Sequence, residues 1–285
     1  MAKRAPAPEP RERHRDLDQV EIDLLLEGVY RHYGFDFRGY ARGSIKRRLL
    51  RRMWGENVYT ISALQERILH DPAAMERLLY DLSINVTSMF RDPSFFNALR
   101  KKVIPLLRTY PFIRIWNAGC STGEETYSLA ILLHEAGLYD RSRIYATDIN
   151  DAVLDRARSG VFPLDRMRDY TENYIRSGGQ RAFSEYYTAQ DKTALFHEKL
   201  GQNLVFAQHN LVSDRAFNDF HMIVCRNVLI YFDRELQARV HGLFYNSLVR
   251  FGVLALGAKE SVKFNPFEEH YADLDATEKI FKKMN

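Results

Sequence analysis

The sequence predicts an α/β fold in which a small helical domain precedes a largely parallel sheet carrying a small antiparallel insertion. Three observations support this. Apolar residues recur at helical spacing from Leu17 to about Arg100. The spacing changes in "PFIRIWNAG", a short apolar run between Pro111 and Gly119 that suits a buried strand. Beyond it, strand-like and helix-like segments alternate, as the right-handed βαβ crossovers of a parallel sheet require.

Taken in order, residues 1–16 hold too little apolar surface to fold alone and read as a disordered tail. Residues 17–100 form the helical domain: "LDQVEIDLLLEGVYRHYG" stops at Gly34, "SIKRRLLRRM" has a serine start, and "TISALQERILH" and "DPAAMERLLYDLSI" each open with an N-cap residue. Residues 101–285 form the sheet domain. Its first strand leads into the helix "GEETYSLAILLHEAG", followed by the strand "RIYATDI" and the helix "NDAVLDRARSG". Later come the strand "DFHMIVCRN", the helix "DRELQARVHGLFYNSLVR" and the strand "GVLALGA". Between these halves, at about 181–208, the runs "AFSEYY", "TALFHEK" and "NLVFAQH" predict an antiparallel insertion, with the last run leading back into the main sheet.

The formal net charge of +4 permits an acidic partner without demanding a nucleic acid, and positive charge concentrates in "IKRRLLRRM" (45–53). The two cysteines, Cys120 and Cys225, match no metal-ligand spacing and read as core residues in a reducing compartment. No run approaches the roughly 18 apolar residues of a spanning helix, and the polar N-terminus lacks a signal core. A soluble, cytoplasmic, monomeric protein is therefore expected, with no metal and no direct membrane insertion.

The turn in "WNAGCSTGEETYSLA" (116–130) carries the chemistry. A glycine-containing turn from a strand into a helix places backbone N–H groups at the carboxyl end of a sheet, where open α/β sheets bind ligands. A dinucleotide pyrophosphate calls for G-x-G-x-x-G without nearby negative charge. Here Ser121 and Glu124 occupy the later glycine sites, and Glu124 and Glu125 would repel a pyrophosphate by about 1 kcal/mol or more. A cationic ligand fits better. Asp148, at the end of "IYATDIN", is placed to accept hydrogen bonds from ribose hydroxyls, or alternatively to cap the next helix. Together the three carboxylates favour S-adenosylmethionine, whose sulfonium and ammonium are positive. Two further polar groups are candidates: Asn85, Thr87 and Arg91 in "NVTSMFRD" (85–92), and Arg226, Asn227 and Tyr231 in "CRNVLIYF" (225–232).

With "HNL" (209–211) added, these motifs resemble, in order and approximate spacing, the CheR-type chemoreceptor glutamate O-methyltransferases, over Val20 to the C-terminus. The resemblance implies an N-terminal helical domain, a Rossmann-like class I methyltransferase domain and a small inserted β-subdomain. It implies cofactor contacts from Asn85, Thr87, Arg91, Glu125, Asp148, Asn210, Leu211, Arg226 and Asn227, with Arg91 and Tyr231 nearest the transferred methyl. S-adenosylhomocysteine would be the product. It also implies that Lys46, Arg47, Arg48, Arg51 and Arg52 dock on the acidic methylation helices of a receptor, with Ile45, Leu49, Leu50 and Met53 forming the opposite, apolar face. A base-stacking role is disfavoured because no aromatics are interleaved with these charges.

Three departures stand out. Thr126 replaces the proline that often follows the paired glutamates, and "LGAKES" replaces a Gly-His-Ser-Glu type segment. The short, glycine-free "TAQDKTALF" (188–196) argues against tethering to a receptor's C-terminal pentapeptide. The competing expectations are a CheR-like regulatory protein that binds a ligand with little turnover, and a nucleic-acid methyltransferase. The latter lacks its usual Asn/Asp-Pro-Pro-aromatic motif at 225–232.

Overall fold

The computed structural model describes residues 10–83, 87–263 and 265–285, with side chains from Leu17 onward. Two compact units divide the chain, Met1–Leu82 and Ser83–Asn285. No helix among the described residues is long and apolar enough to cross a membrane.

The first unit contains α1 (Pro10–Tyr33), α2 (Arg42–Gly55), α3 (Ile61–His70) and α4 (Pro72–Leu82). Helix α1 begins inside the segment expected to lack structure, with Pro10 at its first position, where a missing N–H forfeits no helical bond. Thr60 caps α3 by accepting from the Ala63 N–H at 3.0 Å, and the Asp71 carboxylate accepts from the Ala73 N–H at 3.0 Å. Leu25, Leu26, Ile45, Leu49, Leu64, Ile68 and Leu78 are fully buried and form the core.

Helix α2 starts at Arg42 after Ala41, so Ser44 lies in its first turn and does not cap it. The expected split into a basic and an apolar face holds only in part, because α2 packs on both α3 and α4 and these reach around its basic side. Arg48 is buried and donates to the Leu82 carbonyl at 3.2 Å. Arg52 donates to Asp81 at 2.7 Å and to Glu56 at 3.3 Å. Leu50, expected inside, is instead exposed. The open side of α2 is the stripe Arg47, Leu50, Arg51 and Trp54, residues one and two turns apart on one line of the helix. Lys46 pairs with Asp18 at 2.6 Å. Glu56, buried at the end of α2, also accepts two bonds from Arg77, at 2.7 and 2.9 Å, and these hold its carboxyl below the ordinary range.

The second unit opens with α5 (Pro93–Ala98) and α6 (Ile104–Leu107), joined by a π-helical turn over Leu99–Val103. There follow β1 (Ile113–Ala118), α7 (Glu124–Glu135), β2 (Ser142–Asp148), α8 (Asp151–Ser159), β3 (Val161–Pro163), α9 (Met167–Arg176), β4 (Tyr187–Gln190), β5 (Thr193–Phe196), α10 (Glu198–Gly201), β6 (Leu204–Gln208), β7 (Phe220–Cys225), α11 (Arg234–Ser247), β8 (Leu248–Leu256), β9 (Tyr271–Asp275) and β10 (Ile280–Lys283). The main sheet runs β6-β2-β1-β7-β8-β10-β9. Its first five strands are parallel, and β10 is antiparallel to both of its neighbours. From β1 the chain builds outward through β2 to β6, then returns to place β7 on the other side of β1. That reversal opens a crevice at the carboxyl ends of β1 and β7, the place where open α/β sheets bind their ligands.

The small sheet, β3-β5-β4, is antiparallel but composed differently from the expectation. "AFSEYY" contributes a 3-10 turn over Phe183–Tyr186, because Phe183 and Tyr186, three residues apart, both bury in the aromatic core. The third strand comes instead from Val161–Pro163. "NLVFAQH" supplies β6, pairing in parallel with β2.

Candidate active site

The turn after β1 is set by sterics. Gly119 has φ 76°, and a Cβ there would lie 2.5 Å from Val228 Cγ2, so glycine alone lets the β1 and β7 ends approach. The Gly119 and Cys120 N–H groups both donate to the Thr147 carbonyl, at 2.8 and 2.9 Å, which ties the turn to β2. Helix α7 then starts with Glu124 and Glu125, whose charges favour the positive end of its dipole.

The two glutamates do different things. Glu124 is buried, accepting from Thr122 Oγ1 at 2.6 Å and Tyr170 Oη at 3.3 Å, and burial pushes its carboxyl above the ordinary value. Glu125 faces a cleft of about 240 Å³ lined also by Thr87, Arg91, Gly119, Arg226, Asn227, Val228 and Tyr231. Its Oε1 accepts from Asn117 Nδ2 at 2.8 Å, and its Oε2 from Arg226 Nη1 at 2.7 Å. Thr126, standing where a proline was expected, has its hydroxyl on Asn117 Oδ1 at 2.7 Å, which turns the Asn117 amide toward Glu125.

Arg226 is the hub of the cleft. Besides Glu125, its Nη2 lies 2.5 Å from Asp92 Oδ2, its Nη1 donates to the Arg91 carbonyl at 3.3 Å, and its guanidinium stacks 4.0 Å over the Phe95 ring. Asp92 and Phe90 flank Arg91 at φ 58° and 49°, a backbone conformation that bulky L-residues adopt only when held there. The Phe90 ring is held between Phe96 and Tyr174, with centroids 5.0 and 5.1 Å away, and its N–H donates to Ser128 Oγ at 2.9 Å. Arg91 is thus presented from a backbone anchored on both sides.

Six of the sequence-derived residues therefore meet in one cleft: Thr87, Arg91, Glu125, Arg226, Asn227 and Tyr231. Asp148, Asn210 and Leu211 are not part of its lining; they stand at the carboxyl ends of β2 and β6, joined by a bond of 3.0 Å from the His209 N–H to the Asp148 carbonyl. Asp148 Oδ2 accepts from the Ser121 N–H at 2.9 Å and its Oδ1 from the Asn150 N–H at 3.1 Å. Asn150, and not Asp148, caps α8. Burial pushes the Asp148 carboxyl above its ordinary value of 3.8. Asn85 lies outside the described residues.

Two participants escaped the sequence reading. Asn117 is a polar residue in an otherwise apolar strand, a signal present in "FIRIWNAG". Asp92 closes "NVTSMFRD", but its pairing with Arg226 joins segments far apart in the chain.

The family models for the CheR methyltransferase all-alpha domain and the CheR methyltransferase SAM binding domain match residues 20–83 and 85–280. The chain belongs to the CheR methyltransferase family. It is 50% identical over 264 residues to the Pseudomonas putida protein named Cher3, covering 93% of this chain and 97% of that one. It is 32% identical to the chemotaxis protein methyltransferase of Listeria monocytogenes, covering 91% and 97%. The Salmonella typhimurium chemotaxis protein methyltransferase is 29% identical, with 86% and 85% covered. Like other CheR proteins, this one is an S-adenosylmethionine-dependent methyltransferase. Its donor set suits that cofactor: carboxylates at the ends of β1 and β2 for a cation and a ribose, and a wall kept bare by Gly119.

Proposed function

We propose that the protein transfers a methyl group from S-adenosylmethionine to glutamate side chains on the cytoplasmic methylation helices of chemoreceptors, without tethering to a receptor tail. The observation that carries this reading is the meeting of Arg91 and Tyr231 in the cleft beside Glu125 and Arg226. Within it, Thr87, Glu125, Arg226 and Asn227 hold the cofactor. Each Glu125 oxygen already accepts one bond and has a second lone-pair direction left for an ammonium. Asp148 receives the ribose hydroxyls, and Asn210 and Leu211 border the adenosine. Asn85 is assigned to the same group by its position in the motif.

When bound, the cofactor supplies a methyl carbon on a positive sulfur. Transfer would join the incoming glutamate oxygen to that methyl carbon, with the carbon–sulfur bonding pair leaving on the sulfur. The incoming glutamate is already ionised at neutral pH, a free side chain having a pKa of about 4.3, so no general base is needed. The protein's contribution is alignment, worth roughly 7–11 kcal/mol in well-oriented systems. Arg91 orients the carboxylate through its fork, and Tyr231 steadies a reactant by its hydroxyl.

The exposed stripe of α2, Arg47, Leu50, Arg51 and Trp54, offers charge and apolar contact to an acidic amphipathic helix. Arg48 and Arg52 are committed to Leu82, Asp81 and Glu56, so the docking role narrows to Arg47 and Arg51, with Lys46 beside them. The absence of tethering is supported by the β4–β5 hairpin, whose residues Gln190 and Thr193 pair across only Asp191 and Lys192. Such a turn leaves no loop to cradle a peptide.

The test is incubation with methyl-labelled S-adenosylmethionine and receptor cytoplasmic fragments, followed by base treatment. Volatile labelled methanol is expected. No label across several receptors, with cofactor binding intact, would leave a regulatory protein with little turnover.

A further inference from the structure

The segment that bears Arg226, Asn227 and Tyr231 does not hold its shape by itself. Asn227 sits at φ 61°, left-handed, and the next residues turn away from β7 before the 3-10 turn Leu229–Tyr231. Three successive N–H groups in this turn have no helical or strand partner. All three end on one carboxylate: Glu260 Oε2 accepts from Asn227 at 3.0 Å, and Oε1 from Val228 at 2.8 Å and Leu229 at 2.7 Å. A fourth bond, from the Gly257 N–H to Oε2 at 2.6 Å, fixes the carboxylate to its own loop. Glu260 is only 5% exposed. A Cβ on Gly257 would meet Glu260 Oε2 at 2.7 Å and the Asn227 nitrogen at 2.9 Å, so the two loops close with no room for a side chain. On the other flank, the Gln237 amide donates to the Leu229 and Phe232 carbonyls at 2.9 and 3.0 Å.

We propose that Glu260 is a positioning residue for methyl transfer: its carboxylate collects the Asn227, Val228 and Leu229 N–H groups and thereby holds Arg226, Asn227 and Tyr231 in the cleft. It touches neither reactant and acts through the turn. The inference rests on the reading of this cleft as the cofactor and substrate site. An ionised carboxylate is the one side chain of this size that accepts four bonds without bringing a donor of its own. An amide in its place sets an NH₂ group against at least one backbone N–H, and the turn relaxes toward the right-handed conformation preferred by Asn227.

The experiment compares full-length wild type, Glu260→Gln, Glu260→Asp and Val240→Ala, the last a buried change in α11 outside the cleft, at a temperature well below every melting point. S-adenosylhomocysteine affinity is measured by calorimetry, and kcat and the cofactor KM by methyl transfer. For Glu260→Gln the expected outcome is a loss of affinity and a rise in KM of about tenfold or more, the scale of one buried N–H left unmatched. Val240→Ala is expected to lose melting temperature and keep wild-type affinity and KM. Wild-type affinity and KM in folded Glu260→Gln would overturn the proposal. Should that variant not fold, Glu260→Asp decides in the same way, since its shortened carboxylate cannot reach all four donors. A wild-type protein that fails to bind S-adenosylhomocysteine would sink the reading of the cleft itself, an outcome visible without any variant.

Discussion

Arg226 holds two carboxylates, Asp92 and Glu125, from segments far from it in the chain, and its side chain is 2% exposed. Replacing it with alanine leaves Glu125, at 14% exposure, without its cation, and a broken buried pair of this kind costs about 3 kcal/mol. Denaturant unfolding is expected to show that loss; a change within about 0.5 kcal/mol, the range of ordinary surface substitutions, would refute it. Asp148 gives a pH signature. Its carboxyl is raised above 3.8 by burial, so its own effect on folding stability is most favourable below that value and is lost as pH rises and the buried group ionises. With Asp148 as the proposed acceptor of the ribose hydroxyls, cofactor binding is expected to work the other way, because those hydroxyls need the ionised carboxylate. S-adenosylhomocysteine affinity should therefore fall on acidification with a midpoint above 3.8, and Asp148→Asn should bind weakly with that component gone. An unchanged pH profile in the variant would remove Asp148 from the site. At this scale residue type in the sequence pointed to Glu125, which does line the cleft, and to Asp148, which stands at the end of β2 outside that lining. It was silent where the role lies in backbone N–H groups gathered from elsewhere, as for Glu260.

At the scale of elements, α2 shows what a helical wheel leaves out. Spacing alone puts five basic residues together, whereas packing on α3 and α4 takes Arg48 and Arg52 into the fold. Charge reversal then separates two effects. Arg47→Glu with Arg51→Glu is expected to raise the receptor KM about tenfold or more, as expected for two lost steering charges, while melting temperature and cofactor affinity stay at wild-type values. Arg52→Glu is expected to unfold the helical unit by turning a bridge to Asp81 and Glu56 into repulsion. Equal damage from both changes, read by circular dichroism and methylation assays, would contradict this division. Strands β1, β2, β7 and β8 were legible because each carries a run of mostly buried apolar residues between clear turn signals, whereas the half-exposed β9 and its partner β10 were not predicted. The insertion was not legible either. Val161–Pro163 is too short to show a period, and the aromatic "AFSEYY" mimics a strand although Phe183 and Tyr186 bury with helical spacing. Helix α9 carried a signal in Met167, Tyr170 and Tyr174, three and four residues apart and all buried, but its polar remainder concealed it.

For the whole molecule, acid sensitivity follows from histidines whose protonation is disfavoured by burial, two of them, His209 and His241, buried and one, His221, half-buried. His241 is pushed down to about 4 by burial, and His209 and His221 are lowered as well. A depressed histidine protonates first in the unfolded chain, so its stabilising share is complete above 6.5 and is lost as pH falls from there toward about 4. His241 alone accounts for roughly 3 kcal/mol over that window. Melting temperature should drop between pH 6.5 and 4, and less steeply in His241→Gln; parallel curves would exclude His241 as the cause. Saturation with S-adenosylhomocysteine at a hundredfold its dissociation constant should add about 2.7 kcal/mol to the unit that binds it. The exposed Trp54 has a separate use. The sequence contains two tryptophans, Trp54 at 82% exposure in the helical unit and Trp116 wholly enclosed in the other. The native protein therefore carries two fluorophores of different colour, a water-exposed red emitter accessible to iodide and a shielded blue one that is not. Adding an acidic receptor helix should protect the red component from quenching while a cofactor titration leaves it untouched, so docking can be followed separately from cofactor binding, in unlabelled protein and in real time.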